Sequence, residues 1–133
     1  MAVFGVPQLD IGIAGANTLT TTAQYRPVYI SAAQTYSIHD TTATTAAVGV
    51  CASEMDSNST TINVARAGKF KVIMGMSVTA GQLLYAAGNT TGAYAMTAAM
   101  ATTATAICFG QALESGSTGT VLECWLFGAP SVF

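Results

Sequence analysis

The stretch Lys69-Phe70-Lys71-Val72-Ile73-Met74 sets the period on which the chain is built. It opens with alternation between charged and apolar residues. Successive side chains of a strand point to opposite faces, so Lys69 and Lys71 are expected in solvent and Phe70, Val72 and Met74 in a core. Farther along, residues 120–127 alternate differently. Leu122, Cys124 and Leu126 form one apolar face, and Val121, Glu123, Trp125 and Phe127 form the other. A strand apolar on both faces is expected to be covered on both, by a second layer or by another subunit. A helical period is hard to find anywhere. Thr, Val, Tyr and Ile favour strands, and clusters of Gly, Ser and Asn interrupt them. The chain therefore reads as mainly β, a small β-barrel or β-sandwich with an extended N-terminal arm.

Turn chemistry punctuates the strands. Gln82-Leu83-Leu84-Tyr85-Ala86 and Ala93-Tyr94-Ala95-Met96 flank Gly88-Asn89-Thr90-Thr91-Gly92, which reads as a hairpin with a Gly-bounded loop. Asp56-Ser57-Asn58-Ser59-Thr60 and Ser115-Gly116-Ser117-Thr118-Gly119 are two further turn clusters. Residues 24–30 suggest a strand that Pro27 moves to a sheet edge. Residues 98–106 fit either a loop or a short helical turn. Residues 1–23 differ from the rest, with Gly5, Pro7, Gly12 and Gly15 interrupting sparse apolar residues. Phe4, Val6, Leu9, Ile11 and Ile13 recur at near-even spacing, too little apolar area to fold alone. Two readings stand for this segment: an arm that adds a strand to a partner's sheet, or an edge strand of its own domain. The expected division is an arm over 1–23 and a single β domain over 24–133.

Composition limits the function. Only 8% of the 133 residues are charged, against about 25% in an ordinary soluble domain. Twenty-four Ala and 20 Thr make up a third of the chain. Arg26, Arg66, Lys69 and Lys71 are the only strong bases, and the net charge is −2. Such a chain cannot neutralise a run of phosphates, which argues against nucleic acid as a partner. A basic membrane-surface helix is excluded on the same ground. Mean hydropathy is +0.49. Yet the longest apolar run, residues 46–52, falls well short of the roughly 18 residues of a spanning helix. Apolar and charge-poor without a membrane span suggests a surface that faces other protein. The N-terminus shows no basic region ahead of its apolar residues, so no secretory signal is expected.

Catalytic and metal-binding patterns are weak. Cys51, Cys108 and Cys124 are widely spaced and form no C-x-x-C, so they read as buried free thiols. Asn58-Ser59-Thr60 and Asn89-Thr90-Thr91 match a glycosylation sequon but read as turn residues. His39 is the single histidine, and its neighbour Asp40 would point to the other face of a strand. Glu54 with Asp56 is too small a carboxylate set for a calcium cage, and Glu114 with Glu123 lacks any pairing motif. The glycines match neither the P-loop nor the dinucleotide fingerprint. The chain therefore reads as a non-enzyme, with no cofactor and no metal. Trp125, Phe127 and Phe133 are the aromatic anchors expected at a contact between subunits. An internal repeat is also visible. Val48-Gly49-Val50-Cys51-Ala52 resembles Phe109-Gly110-Gln111-Ala112-Leu113, and each is followed by an acid, a Ser-rich turn, a second strand and a closing glycine, Gly68 or Gly128.

The run Val78-Thr79-Ala80-Gly81-Gln82-Leu83-Leu84, then Gly110-Gln111-Ala112-Leu113 and the strand Thr120-Val121-Leu122-Glu123-Cys124-Trp125, resembles the capsid decoration, or cement, proteins of tailed bacteriophages. Their recurring pattern is a G-x-V strand, then I-T-A-G-D-x-V, then G-V-A-L before a turn and a final strand. Gly49-Val50-Cys51-Ala52 supplies an earlier copy, so the likeness extends over residues 47–128. Gln82 stands where the family has an acid and Gln111 where it has Val. The resemblance implies a structural virion protein on the outer surface of the capsid, made in the host cytoplasm. It would bind the major capsid protein lattice as a homotrimer at three-fold and quasi-three-fold positions and stabilise the expanded shell. Joined copies bind with high effective concentration, and a symmetric trimer suits a three-fold site. Phe4, Val6, Leu9, Ile11 and Ile13 are then the expected capsid-facing residues, and Trp125, Phe127 and Phe133 the trimer contact. A tail, fibre or adhesin component of a virion is the alternative.

Overall fold

A computed structural model describes residues 8–39, 46–87, 96–99 and 107–132. These form nine strands: β1 (Gln8–Ala14), β2 (Pro27–Ala32), β3 (Thr35–Ile38), β4 (Gly49–Cys51), β5 (Thr61–Ile73), β6 (Leu83–Ala87), β7 (Met96–Ala99), β8 (Ile107–Ala112) and β9 (Val121–Val132). One 3₁₀ turn, Ala16–Thr18, follows β1. All strands belong to one sheet in the order β1-β3-β2-β4-β5-β9-β8-β6-β7, with β1 also paired to β5. The chain is mainly β, as its alternation implies.

The long strand β5 organises the sheet. Its first half pairs with β1 and β4, and its second half pairs with β9. The pairings β1–β3, β3–β2, β2–β4, β4–β5 and β5–β1 close a ring of five strands. From β5 the sheet continues through β9, β8, β6 and β7, and a parallel bridge from Thr97 to Met74 closes a second ring. Closure leaves few free strand edges, the usual barrel solution to unpaired backbone groups.

Two cores follow from the two rings. Val28, Tyr36, Ile38, Cys51, Ile62 and Val64 fill the first. Val72, Met74, Leu84, Phe109, Leu122, Cys124 and Leu126 fill the second. Val50 and Ala65 belong to ring 1 strands but pack in the core of ring 2. The cause is a bulge. Gln8 lies opposite Ala67 and Leu9 opposite Ala65, so Arg66 is an extra residue, and Gly68 follows with φ 92°. One extra residue turns the alternation over. The outer face of β5 in ring 1 thereby becomes its inner face in ring 2, and ring 2 packs on the outer wall of ring 1.

The rings are copies of one unit, with matching hydrogen bonds at several corresponding positions. Ala14 donates its N–H to Thr60 O, as Met74 does to Thr120 O. Gly15 donates to Tyr36 O, as Gly75 does to Thr97 O. Cys51 exchanges two bonds with Tyr25 and Arg26, as Ala112 does with Gly81 and Gln82. Tyr25 and Gly81 both hold positive φ, 71° and 94°. The strand that opens ring 1 is β1, and the strand that opens ring 2 is the second half of β5. The repeat seen in sequence is therefore the C-terminal part of a larger duplication that also includes β1 and β2–β3 in the first unit and the second half of β5 and β6–β7 in the second.

Several expectations change in detail. Of the segment read as an arm over 1–23, residues 1–7 lie outside the described residues, and residues 8–23 are part of the sheet and its core. β1 gains hydrogen-bonded partners on β5, and Thr18 and Ala23 are fully buried. The second reading, a strand of its own domain, describes residues 8–14. Pro27 does not put its strand at an edge: β2 lies between β3 and β4. Pro27 is the first residue of β2, where its missing N–H interrupts no ladder. The hairpin from β6 returns through Met96–Ala99, pairing Leu84 with Ala99 and Ala87 with Met96; of the expected return strand over 93–96, residues 93–95 lie outside the described residues.

Candidate interaction surface

Among the described residues, the outward face of β1 carries the largest exposed aliphatic group. Leu9, Ile11 and Ile13 are 53%, 71% and 52% exposed. They alternate with Asp10 and Gly12 on one side of the strand, so all three point away from ring 1. The duplication shows that the fold does not require this. Leu9 pairs with Ala65 as Lys69 pairs with Trp125, and Ile11 pairs with Asn63 as Lys71 pairs with Glu123. The second unit thus carries solvated lysines where the first carries bare aliphatics. Three of the five residues expected to face a partner lie together here; Phe4 and Val6 lie outside the described residues.

A polar cluster fixes the other face of β1. The Tyr36 hydroxyl donates to Asp10 Oδ2 at 2.5 Å, and Arg66 Nη1 stands 3.7 Å from the same oxygen. Ile11 N–H donates to Asp10 Oδ1 at 3.1 Å. The hydrogen bond from Tyr36, with Ile11 N–H and the Arg66 guanidinium, outweighs desolvation and lowers the Asp10 pKa. Burial and the bond to Asp10 raise that of Tyr36. Beside the cluster, Asp10, Ile11, Ile30, Gln34 and Tyr36 line a shallow groove. Ile30 is 44% exposed at its rim. Neither Ile30 nor the cluster was apparent from sequence. Overlaying the two units would have found them, because Asp10 stands where the second unit has Phe70, and Ile30 where it has Ala86.

The expected subunit contact lies on the outer wall of ring 2. Trp125, 40% exposed, and half-buried Phe127 share the outward side of β9 with Val121 and Glu123. Lys69 Nζ bridges to Glu123 Oε2 at 3.0 Å beside them. Leu113 is exposed just past the end of β8. Phe133 lies outside the described residues. The bulge at Arg66 puts the β1 stripe and the Trp125 wall on opposite faces of the sheet.

The other candidate residues have structural tasks. Glu114 Oε2 accepts the N–H of Glu123 at 2.8 Å, as Ser53 Oγ accepts that of Asn63 in the first unit. Asp56 Oδ1 accepts from Asn58 N–H and closes its turn. The His39 ring stands edge-on to Tyr29. Cys51, Cys108 and Cys124 are buried thiols, and burial pushes Cys51 up to about 11 and Cys124 to about 12, which disfavours the reactive thiolate. Among the described residues no cluster of three His, Cys, Asp or Glu could hold a metal. No helix among them is long and apolar enough to cross a membrane. The residues carrying the resemblance hold the second unit together. Gln82 Oε1 accepts from Thr79 N–H at 2.7 Å, an acceptor role that an acid would fill equally, and Gln111 Nε2 donates to Gly81 O. Compared with protein families and with curated proteins, the chain matches no family model and no curated protein.

Proposed function

We propose that this chain is a structural protein of a virus particle, a decoration protein that binds the outer surface of the major capsid protein lattice and holds neighbouring shell subunits together. The observation that carries the reading is the β1 stripe. Leu9, Ile11 and Ile13 are aliphatic and half or more exposed at positions where the duplicated unit shows that lysine or a covered residue serves the fold. Aliphatics left bare in this way mark a surface meant for protein. Covering the exposed half of each side chain is worth about 1 kcal/mol. One chain's footprint is then modest, and joined copies multiply it by effective concentration. The charge-poor composition and the motif resemblance support the same reading.

The test is the copy number of the chain in particles purified from its source, relative to the main shell protein, together with binding of the Leu9→Asp variant. The reading expects copies near one per shell subunit, loss of cosedimentation in the variant, and a lower rupture temperature for undecorated shells. A few copies per particle would make it a tail or fibre part instead. Absence from any particle would overturn the reading.

A further inference from the structure

The contact between the two units within the chain has a counterpart left open at each end of the molecule. Inside the chain, ring 2 covers the outer wall of ring 1. Val50 and Ala65 are fully buried there, with Ala52 packed alongside, and Phe70 and Ala86 pack into the same cluster from ring 2. The Tyr25 and Phe70 rings stand 6.0 Å apart, and Ile73 N–H donates to Tyr25 O at 3.0 Å across this junction. By the pairing registers, the counterparts of Val50, Ala52 and Ala65 on ring 2 are Gln111, Leu113 and Trp125. The counterparts of Phe70 and Ala86 on ring 1 are Asp10 and Ile30. Both counterpart surfaces are uncovered: Trp125 is 40% exposed, Leu113 44% and Ile30 44%. One presents a projecting indole, and the other is the groove lined by Asp10, Ile11, Ile30, Gln34 and Tyr36.

We infer that copies of this chain associate head to tail, with Trp125 of one copy seated in the Ile30 groove of the next, on the surfaces that correspond to those buried between the two units within a chain. An aromatic anchor entering a pocket is the usual centre of a protein contact. The Asp10 carboxylate at the rim offers an acceptor for the indole N–H. Two different patches make the contact heterologous, and a heterologous contact that closes gives a ring, which an odd-numbered assembly requires. The inference deepens the proposed function by assigning the contact between copies, and it stands or falls separately from shell binding.

The experiment is sedimentation velocity on the full chain, with Trp125→Ala and Ile30→Glu each alone and mixed in equal amounts. Far-UV circular dichroism checks that the variants fold. The wild type is expected to exceed monomer mass, and each variant to sediment as a monomer. The mixture is expected to form a species of two chains, because the Ile30→Glu chain keeps its Trp125 and the Trp125→Ala chain keeps its groove. A monomeric wild type overturns the inference, as does a Trp125→Ala variant that keeps the wild-type mass. Folded variants that fail to join on mixing would show that Trp125 does not seat in the Ile30 groove and overturn it equally. Monomeric chains found paving a shell would leave shell binding intact and remove only this contact. An oligomer absent from every particle would do the reverse.

Discussion

Tyr36 shows how single residues hold β1 in place. Its ring crosses β1 at Gly12, where an added Cβ would lie 2.5 Å from Tyr36 Cδ2 and 2.7 Å from Gln34 O. The ring has no room to retreat, because it is buried among Val28, Ile38 and Ile62. Gly12→Ala is therefore expected to destabilise the chain by about 1–3 kcal/mol, read as a lower urea midpoint at unchanged slope. Beyond the ring, the Tyr36 hydroxyl is the first cause of the lowered Asp10 pKa, ahead of Ile11 N–H and Arg66. A carboxyl that binds its proton less readily when folded stabilises the fold above its unfolded value of 3.8, and the contribution is lost as pH falls through the folded value. Tyr36→Phe is expected to move the Asp10 titration, followed by NMR, upward toward 3.8 and to weaken the acid dependence of stability below about pH 4. An unmoved titration would give the effect to Arg66 instead.

The elements show where the sequence was readable. Alternation at Lys69 to Met74 and the two-faced pattern of β9 were visible because side-chain period depends only on the strand itself. Gly49 and Gly110 were visible as a repeated pair because the fold needs a glycine at both. A Cβ would stand 2.4 Å from Ala65 O at Gly49 and 2.8 Å from Trp125 O at Gly110, where the next strand passes close. Gly110→Ala is accordingly expected to lower stability by about 2 kcal/mol in thermal or urea unfolding, since the obstacle is backbone and cannot rotate away. The rest of the duplication was hidden because its matches are backbone bonds. Tyr25 stands for Gly81, Ser53 for Glu114 and Asp10 for Phe70, and the few shared types, such as Gly15 with Gly75 and Thr60 with Thr120, are too scattered to make a motif. The place of β1 was equally hidden. Its large apolar side chains Leu9, Ile11 and Ile13 form an exposed stripe, so its attachment rests largely on ladder bonds to β5 and β3 and on one polar cluster. Of the candidate surface, Leu9, Ile11, Ile13 and Trp125 were legible as apolar residues without an evident core. Ile30 was not, because an apolar residue in a strand ordinarily signals burial.

At the scale of the molecule, sharing β5 decides how the chain unfolds. Two rings with separate cores could melt separately if only a loop joined them. Here the ladder from β1 through β5 to β9 is unbroken in backbone pairing, and the wall of ring 1 at Val50 and Ala65 is part of the ring 2 core. Losing either ring would strip β5 of half its partners and expose those residues to water. The cost of that exposure favours all-or-none melting. The lone Trp125 sits on ring 2 and reports that ring by fluorescence, whereas far-UV circular dichroism reports both. Ile62 is fully buried in ring 1 and faces away from the ring 2 core. Ile62→Ala is expected to lower stability by about 2–5 kcal/mol. In a cooperative molecule the fluorescence transition of Trp125 moves with the dichroism transition by the same amount, although the lesion lies in the other ring. A fluorescence midpoint that stays in place while the dichroism curve splits would show that the rings fold as separate units, and that β5 joins them without coupling them.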